Sequence, residues 1–234
     1  MTTLGRGIRR MRRNMPSIAI DRAQASEIES LLSLYVELFQ DREPLTKCIG
    51  WSRERMMSIA RTMYAGADGN ALSQGLGWIA RDQARANQDI GFILCDDPAA
   101  APTAALPDDL TAQEMRMVSA VTAWLEAIRS PVQDKLGLAA GTGLHVSAVG
   151  VAPGYEGAGI ATRLLQTAMA DAAARGYRFA FAECTSSPSR RCHEKAGFTS
   201  VHRVSGEKLL VAEDGALANS GWDVHLMWKD LANE

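Results

Sequence analysis

The 234-residue sequence has no run approaching 18 uninterrupted apolar residues, which excludes a membrane-spanning helix. Its four cysteines, Cys48, Cys95, Cys184 and Cys192, never fall in CxxC spacing. That excludes a zinc ribbon and argues against a disulfide scaffold, leaving reduced thiols in a cytoplasm-like compartment and no expected metal. No internal repeat is visible, so a stacked-repeat architecture is set aside. An excess of either charge is lacking overall, at a formal net of −2. Residues 1–16 hold five arginines and no acid, which leaves 20 basic against 27 acidic groups in residues 17–234. A body with a net charge of −7 is a poor nucleic-acid binder. What the chain does have is apolar material, 47% of its residues, enough for a core that needs no covalent staple.

Residues 1–16 meet part of the description of an organelle transit peptide, and a phosphate-binding arm is a second reading. They have no apolar helical face, so the reading taken is a frayed basic tail ahead of one folded domain, 17–234. Within that domain Ser17–Ile20 reads as a strand. A helix follows from Ser26, with Glu29 at capping-box spacing, and ends at Asp41-Arg42-Glu43-Pro44. Ser52–Tyr64 reads as a second helix whose Met56, Met57 and Met63 pack into the core or form a plastic ligand surface. Gly75–Arg81 and Ile90–Cys95 read as paired strands, Asp96–Pro107 as a loop, and Thr111–Ile128 as a helix with a Thr111/Glu114 capping box. Next come a strand (Leu144–Val151), a helix (Gly159–Ala174), a strand (Tyr177–Glu183), a helix (Ser189–Lys195), and strands at Val201–Val204 and Asp223–Trp228. Strands and helices interleaved in this way mean one layered α/β-type domain.

The segment Leu144–Ala161, LHVSAVGVAPGYEGAGIA, carries the chemistry. A valine-rich strand stops at Pro153, and Gly154, Gly157 and Gly159 fill a short turn into a helix. The first helical N–H groups have no intrahelical partner, and the helix dipole adds about half a positive charge there. Without side chains at 157 and 159, a phosphate can reach the backbone, so the turn reads as a pyrophosphate cradle needing neither lysine nor metal. A Walker loop would need a lysine before Thr162, and a Rossmann turn would lie near the start of an alternating chain. Neither fits.

Val151-Ala152-Pro153 followed by Glu156-Gly157-Ala158-Gly159-Ile160-Ala161 resembles the acetyl-coenzyme A signature of the Gcn5-related N-acetyltransferase (GNAT) superfamily, Val-x-Pro then Arg/Gln-x-x-Gly-x-Gly/Ala. Glu156 departs from the Arg or Gln of that pattern, so weaker anion attraction is expected there. Downstream, Glu194-Lys195-Ala196-Gly197-Phe198 resembles the family's Tyr-x-Lys-x-Gly-Phe, with His193 in the tyrosine position. Two further segments, Phe39–Leu45 and Cys184–Ser189, are similar to insect arylalkylamine (dopamine) N-acetyltransferases. The resemblance implies a single α+β domain with a mixed, mostly antiparallel sheet of about seven strands flanked by helices. It implies acetyl-coenzyme A as cosubstrate, a small-molecule primary amine as acceptor, and a monomer or homodimer. Val149, Gly150 and Val151 would hold the pantetheine, with a bulge at Gly150, and Gly157, Ala158, Gly159, Ile160, Ala161 and Thr162 the pyrophosphate. By position the narrower likeness puts a catalytic set on Glu43, Thr185 and Ser189.

Transfer to an amine needs the neutral nitrogen, which costs an alkylammonium of pKa about 10.4 some 4–5 kcal/mol at pH 7. A thiol leaving group with pKa about 8.5 needs only about 2 kcal/mol of help, so the base matters most. Glu43, turned at Pro44, is the first candidate, acting through a water or hydroxyl. Glu183 is a rival that an arginine such as Arg190 or Arg191 could neutralise, and His145 is a second rival or a satisfied sheet histidine. His193, Ser189 or Thr185 would protonate the sulfur. Cys192 and His193 are adjacent on a helix and point apart, so direct transfer is preferred to an acyl-cysteine route. Transfer to a protein amine and a silent acyl-coenzyme A sensor are the alternative readings.

Overall fold

The computed structural model describes residues 17–65, 71–100, 106–136, 139–205 and 223–232. The basic stretch 1–16 and part of the loop before 107 lie outside the described residues. In chain order the strands are β1 (Ile18–Arg22), β2 (Gly77–Asp82), β3 (Gln88–Asp96), β4 (Gly143–Val151), β5 (Phe179–Cys184), β6 (Thr199–Ser205) and β7 (Asp223–Asp230). The helices are α1 (Ile28–Phe39), α2 (Pro44–Ile49), α3 (Arg53–Ala65), α4 (Ala112–Arg129), α5 (Gln133–Leu136), α6 (Ile160–Ala174) and α7 (Ser187–Lys195). The strands form one sheet in the order β1-β2-β3-β4-β5-β7-β6, antiparallel except for the parallel pair β4–β5. This is the mixed seven-stranded sheet flanked by helices that the sequence implies.

Helix α6 buries Leu164, Leu165, Ala168, Met169 and Ala172 against Trp78, Ile90, Ile93, Leu144 and Val146. Each large side chain fully buried there contributes roughly 1.5–3 kcal/mol. Helices α1 and α3 cover the other face over Ile79, Phe92, Leu94 and Ala148, and α4 covers it over Phe179, Phe181 and Trp228. The first helix starts differently from the sequence reading. The capping box forms between Gln24 and Glu27, with the Gln24 N–H donating to Glu27 Oε2 at 2.8 Å, ahead of a short 3-10 turn. Glu29 instead pairs with Arg61. The Thr111/Glu114 box forms as read.

The register of β4 decides which face its residues address. Leu94 pairs with Ala148 but Cys95 pairs with Val146, so Ser147 is an extra residue and the bulge lies there, not at Gly150. Leu144 and Val146 pack under α6, whereas Ala148 packs under α1, as an inserted residue requires. Gly150 pairs regularly with Phe92. A β-carbon on it would stand 2.8 Å from the Phe92 ring and 3.1 Å from Leu38, so its glycine serves close packing. Strand β4 pairs with β5 only from Gly143 to His145. Beyond His145 the two strands part, and the site opens between them.

Candidate active site

A cavity of about 1660 Å³ follows the parted edge of β4. At one end lies the glycine turn, where Gly154, Gly157 and Gly159 have φ of 86°, 76° and 78° and open space where a β-carbon would be. Only glycine adopts that backbone without strain, so the sequence makes the turn and clears it at once. Gly159 is the N-cap of α6 and carries no side chain to cap it. The N–H groups of Ile160, Ala161 and Thr162 therefore have no intrahelical acceptor and lie at the positive end of the helix. Of the residues expected at the cofactor, Val149, Gly150, Val151, Gly157, Gly159, Ile160, Ala161 and Thr162 line the cavity. Ala158 does not; its side chain packs against the core under α6.

At the middle of the cavity stands Glu43. It does not close the preceding helix but opens α2 as its N-cap, with Pro44 in the first turn and Gly50 at the far end. The Glu-Pro pair followed by Gly50 was a readable start and stop signal for this helix. Glu43 Oε2 accepts from the Thr46 N–H at 2.6 Å and its hydroxyl at 2.8 Å, while Oε1 accepts from the Thr185 hydroxyl at 2.5 Å. Two of the three residues placed in the catalytic set thus touch across 142 positions of sequence. Ser189 lines the same cavity, but its hydroxyl donates to Cys184 Sγ at 3.3 Å.

His193 is 2% exposed, and burial pushes its imidazole down to about 4. Its Nδ1 lies 2.9 Å from the Ser189 carbonyl, which accepts only, so the proton sits on Nδ1 and Nε2 is a lone pair. That Nε2 has no hydrogen-bond partner among the described residues. Burial likewise pushes the Cys184 thiol up to about 12 and Cys192 to about 11, so neither is a thiolate near neutral pH.

The cavity's other end holds a charged array that the sequence reading saw in part. His145 Nδ1 lies 3.1 Å from Asp96 Oδ1, and Nε2 lies 2.9 Å from Glu183 Oε2, so the ring donates from both nitrogens. Arg129, the last residue of α4, bonds Glu183 Oε1. Burial opposes the imidazolium, but Asp96 and Glu183 outweigh it and raise His145 to about 9. Burial likewise opposes the Glu183 carboxylate, yet His145 and Arg129 hold it down at about 2. Glu183 is thus neutralised by Arg129 and His145, whereas Arg190 pairs with Glu194. The ring of His145 stacks on Phe181 at 4.8 Å, and the Ser147 hydroxyl donates to Asp96. Arg129 and Asp96 were missed because they reach His145 through sheet order and helix docking, which no local pattern encodes. Met63, 40% exposed, lines the cavity wall, while Met56 is core.

A seven-stranded mixed sheet parted between its two parallel strands, with a glycine-framed helix N-terminus at the fork, defines a distinct class of α+β fold. Residues 117–198 match the sequence model of the Acetyltransferase (GNAT) family. Among solved structures the chain is similar to the C-terminal condensation domain of Ebony in complex with beta-alanyl-dopamine (TM-score 0.75, 15% identity, 92% of this chain and 100% of that one). It is similar to a putative arylalkylamine N-acetyltransferase of the mosquito Aedes aegypti (0.73, 14%, 92% and 87%). It is also similar to the Drosophila melanogaster polyamine N-acetyltransferase, which forms N-acetylagmatine (0.61, 16%, 91% and 99%). No curated protein matches the chain by sequence. The chain has the GNAT fold, and the family's matching segment runs from α4 to the residue after Gly197.

Proposed function

We propose that the protein moves an acetyl group from acetyl-coenzyme A to the primary amine of a small molecule by direct attack. The observation that carries this reading is one continuous cavity joining the glycine turn, the free edge of β4 and the Glu43–Thr185 pair. Helices α1 to α3 and α4 wall its acceptor end, through Phe39, Trp51, Met63, Val121 and Leu125 among others. Such walls favour a small amine over a protein chain.

The residues present fit the cosubstrate: an open, side-chain-free turn and unpaired helical N–H groups suit a diphosphate, and the unpaired β4 edge suits the amides of pantetheine. When bound, acetyl-coenzyme A supplies the activated thioester. Glu43 takes the proton of the incoming ammonium, with the Thr185 hydroxyl as relay. Glu183 and His145 are poorly suited to that role, because one is held near pKa 2 by its cations and the other is already protonated below about 9. His193 is poorly suited to protonating sulfur, since its proton is on Nδ1 and its Nε2 only accepts. With the Thr185 proton engaged on Glu43, the acid role falls to the Ser189 hydroxyl, which passes its proton to the departing thiolate and regains one from water in the cavity. Cytoplasmic residence goes with the reduced thiols of Cys95, Cys184 and Cys192. No helix among the described residues is long and apolar enough to cross a membrane.

A thiol-release assay over alkylamines, arylalkylamines, polyamines, amino acids and peptides tests the proposal. Turnover with a small amine is expected, and Glu43→Gln should lower kcat by about 10²–10⁴-fold. Turnover on peptides alone would move the acceptor to protein, and tight binding without turnover on any amine would make the protein a sensor.

A further inference from the structure

Arg42 immediately precedes Glu43 and leaves the α1–α2 connection to cross the cavity mouth. Its Nη1 donates to the Val151 carbonyl at 3.2 Å, and its Nη2 to Glu156 Oε1 at 2.8 Å. Glu156 in turn accepts from the Gly154 N–H at 2.7 Å through Oε2. Arg42 and Glu156 both line the cavity beside Gly157 and Gly159. Their side chains are 42% and 51% exposed, and a pair so exposed contributes about 0–1 kcal/mol to stability. Stability alone therefore does not account for it. A guanidinium has five N–H donors, and these bonds use two, leaving a charged fork of the kind that grips phosphate.

We infer that Arg42 is the side-chain cation of the diphosphate site, held in place by Glu156 at the motif position where a basic or amide side chain is expected. The inference rests on the proposed use of a coenzyme A thioester. Glu156 alone would repel a diphosphate; paired, it aims a cation supplied by another element. Because Arg42 and Glu43 are neighbours, filling the diphosphate site also fixes the segment that carries the base. Cofactor binding is thereby coupled to assembly of the acceptor side.

Calorimetry with coenzyme A on the full chain, beside amide NMR titration with pantetheine, which has no phosphate, tests this. Arg42→Gln should weaken coenzyme A about 10–100-fold, the range for a lost charge-assisted bond, and leave pantetheine unchanged. The double variant Arg42→Gln/Glu156→Arg returns the cation to the turn and should recover coenzyme A affinity to within about threefold. Unchanged affinity in Arg42→Gln overturns the inference. So does equal loss toward both ligands, which would make Arg42 a structural latch, and so does a double variant as weak as the single. If the folded wild type takes up no coenzyme A, the proposed function fails instead.

Discussion

The two ends of the cavity solve the problem of holding charge in opposite ways. At the end beside β5 four ionised side chains, Asp96, His145, Glu183 and Arg129, neutralise one another. At the glycine-turn end the wall is nearly bare of side chains, the first N–H groups of α6 have no intrahelical acceptor, and Arg42 is held by Glu156 with N–H donors to spare. The first arrangement is rigid because each charge would be expensive to bury without its partners. The second is open because its positive potential comes from the backbone and needs no compensation until an anion arrives. Under the proposed function, the self-satisfied polar wall is where the amine would be positioned and the unsatisfied one where the diphosphate would be captured.

The largest effect should come from breaking the satisfied end. Glu183→Ala leaves His145 and Arg129 buried without their shared carboxylate, and unfolding free energy from denaturant titration should fall by about 3–5 kcal/mol. A loss under about 1 kcal/mol would mean that the array is solvated. The same kind of change at the open end should spare stability and remove binding. Gly159→Val forces a β-branched residue to a φ near 78°, at about 1–2 kcal/mol, and fills the cradle. Coenzyme A affinity should fall at least tenfold while the thermal midpoint drops only a few degrees.

Titration sharpens the contrast further. His145 is raised above its unfolded value to about 9, so its contribution is complete below about pH 6.5 and is lost as pH rises through 9. Glu183 is depressed to about 2, so its contribution is present above about pH 4.5 and is lost as pH falls through 2. The thermal midpoint should therefore decline between about pH 7 and 9, and His145→Asn should flatten that decline. An unchanged slope in the variant would remove His145 as its source. The smallest effect is expected at His193: with a lone-pair Nε2 and a pKa near 4, it should leave the kcat profile between pH 6 and 8 unchanged on substitution to Asn.

The open end was legible in the sequence and the closed end only through Glu183 and His145, without their partners Arg129 and Asp96, for a physical reason. A glycine-framed turn declares itself locally, since Gly154, Gly157 and Gly159 are required by the backbone they form. The order of strands and helices was legible for the same reason, through periodicity and through the Thr111/Glu114 box. The bulge at Ser147 was not, because either of two small neighbours, Ser147 and Ala148, fits the extra position and only the pairing with Leu94 and Cys95 selects one. The partner of Glu183 was misplaced onto nearby arginines because proximity in sequence says nothing about which helix end lands over β5. Arg129 arrives there from 54 residues away. Helix α2 was overlooked although Glu43-Pro44 and Gly50 mark its ends, because the same residues also read as a simple stop to α1.

The central claim is that the turn between β4 and α6 captures a diphosphate with main-chain N–H groups. The most direct measurement is a titration of the ¹⁵N-labelled chain with acetyl-coenzyme A, following backbone amide resonances. The account predicts saturable shifts at Gly157, Gly159, Ile160, Ala161 and Thr162, larger than those at the amides of α4. Amides of the turn that stay still while the ligand binds elsewhere, or that stay still at every concentration, would contradict it.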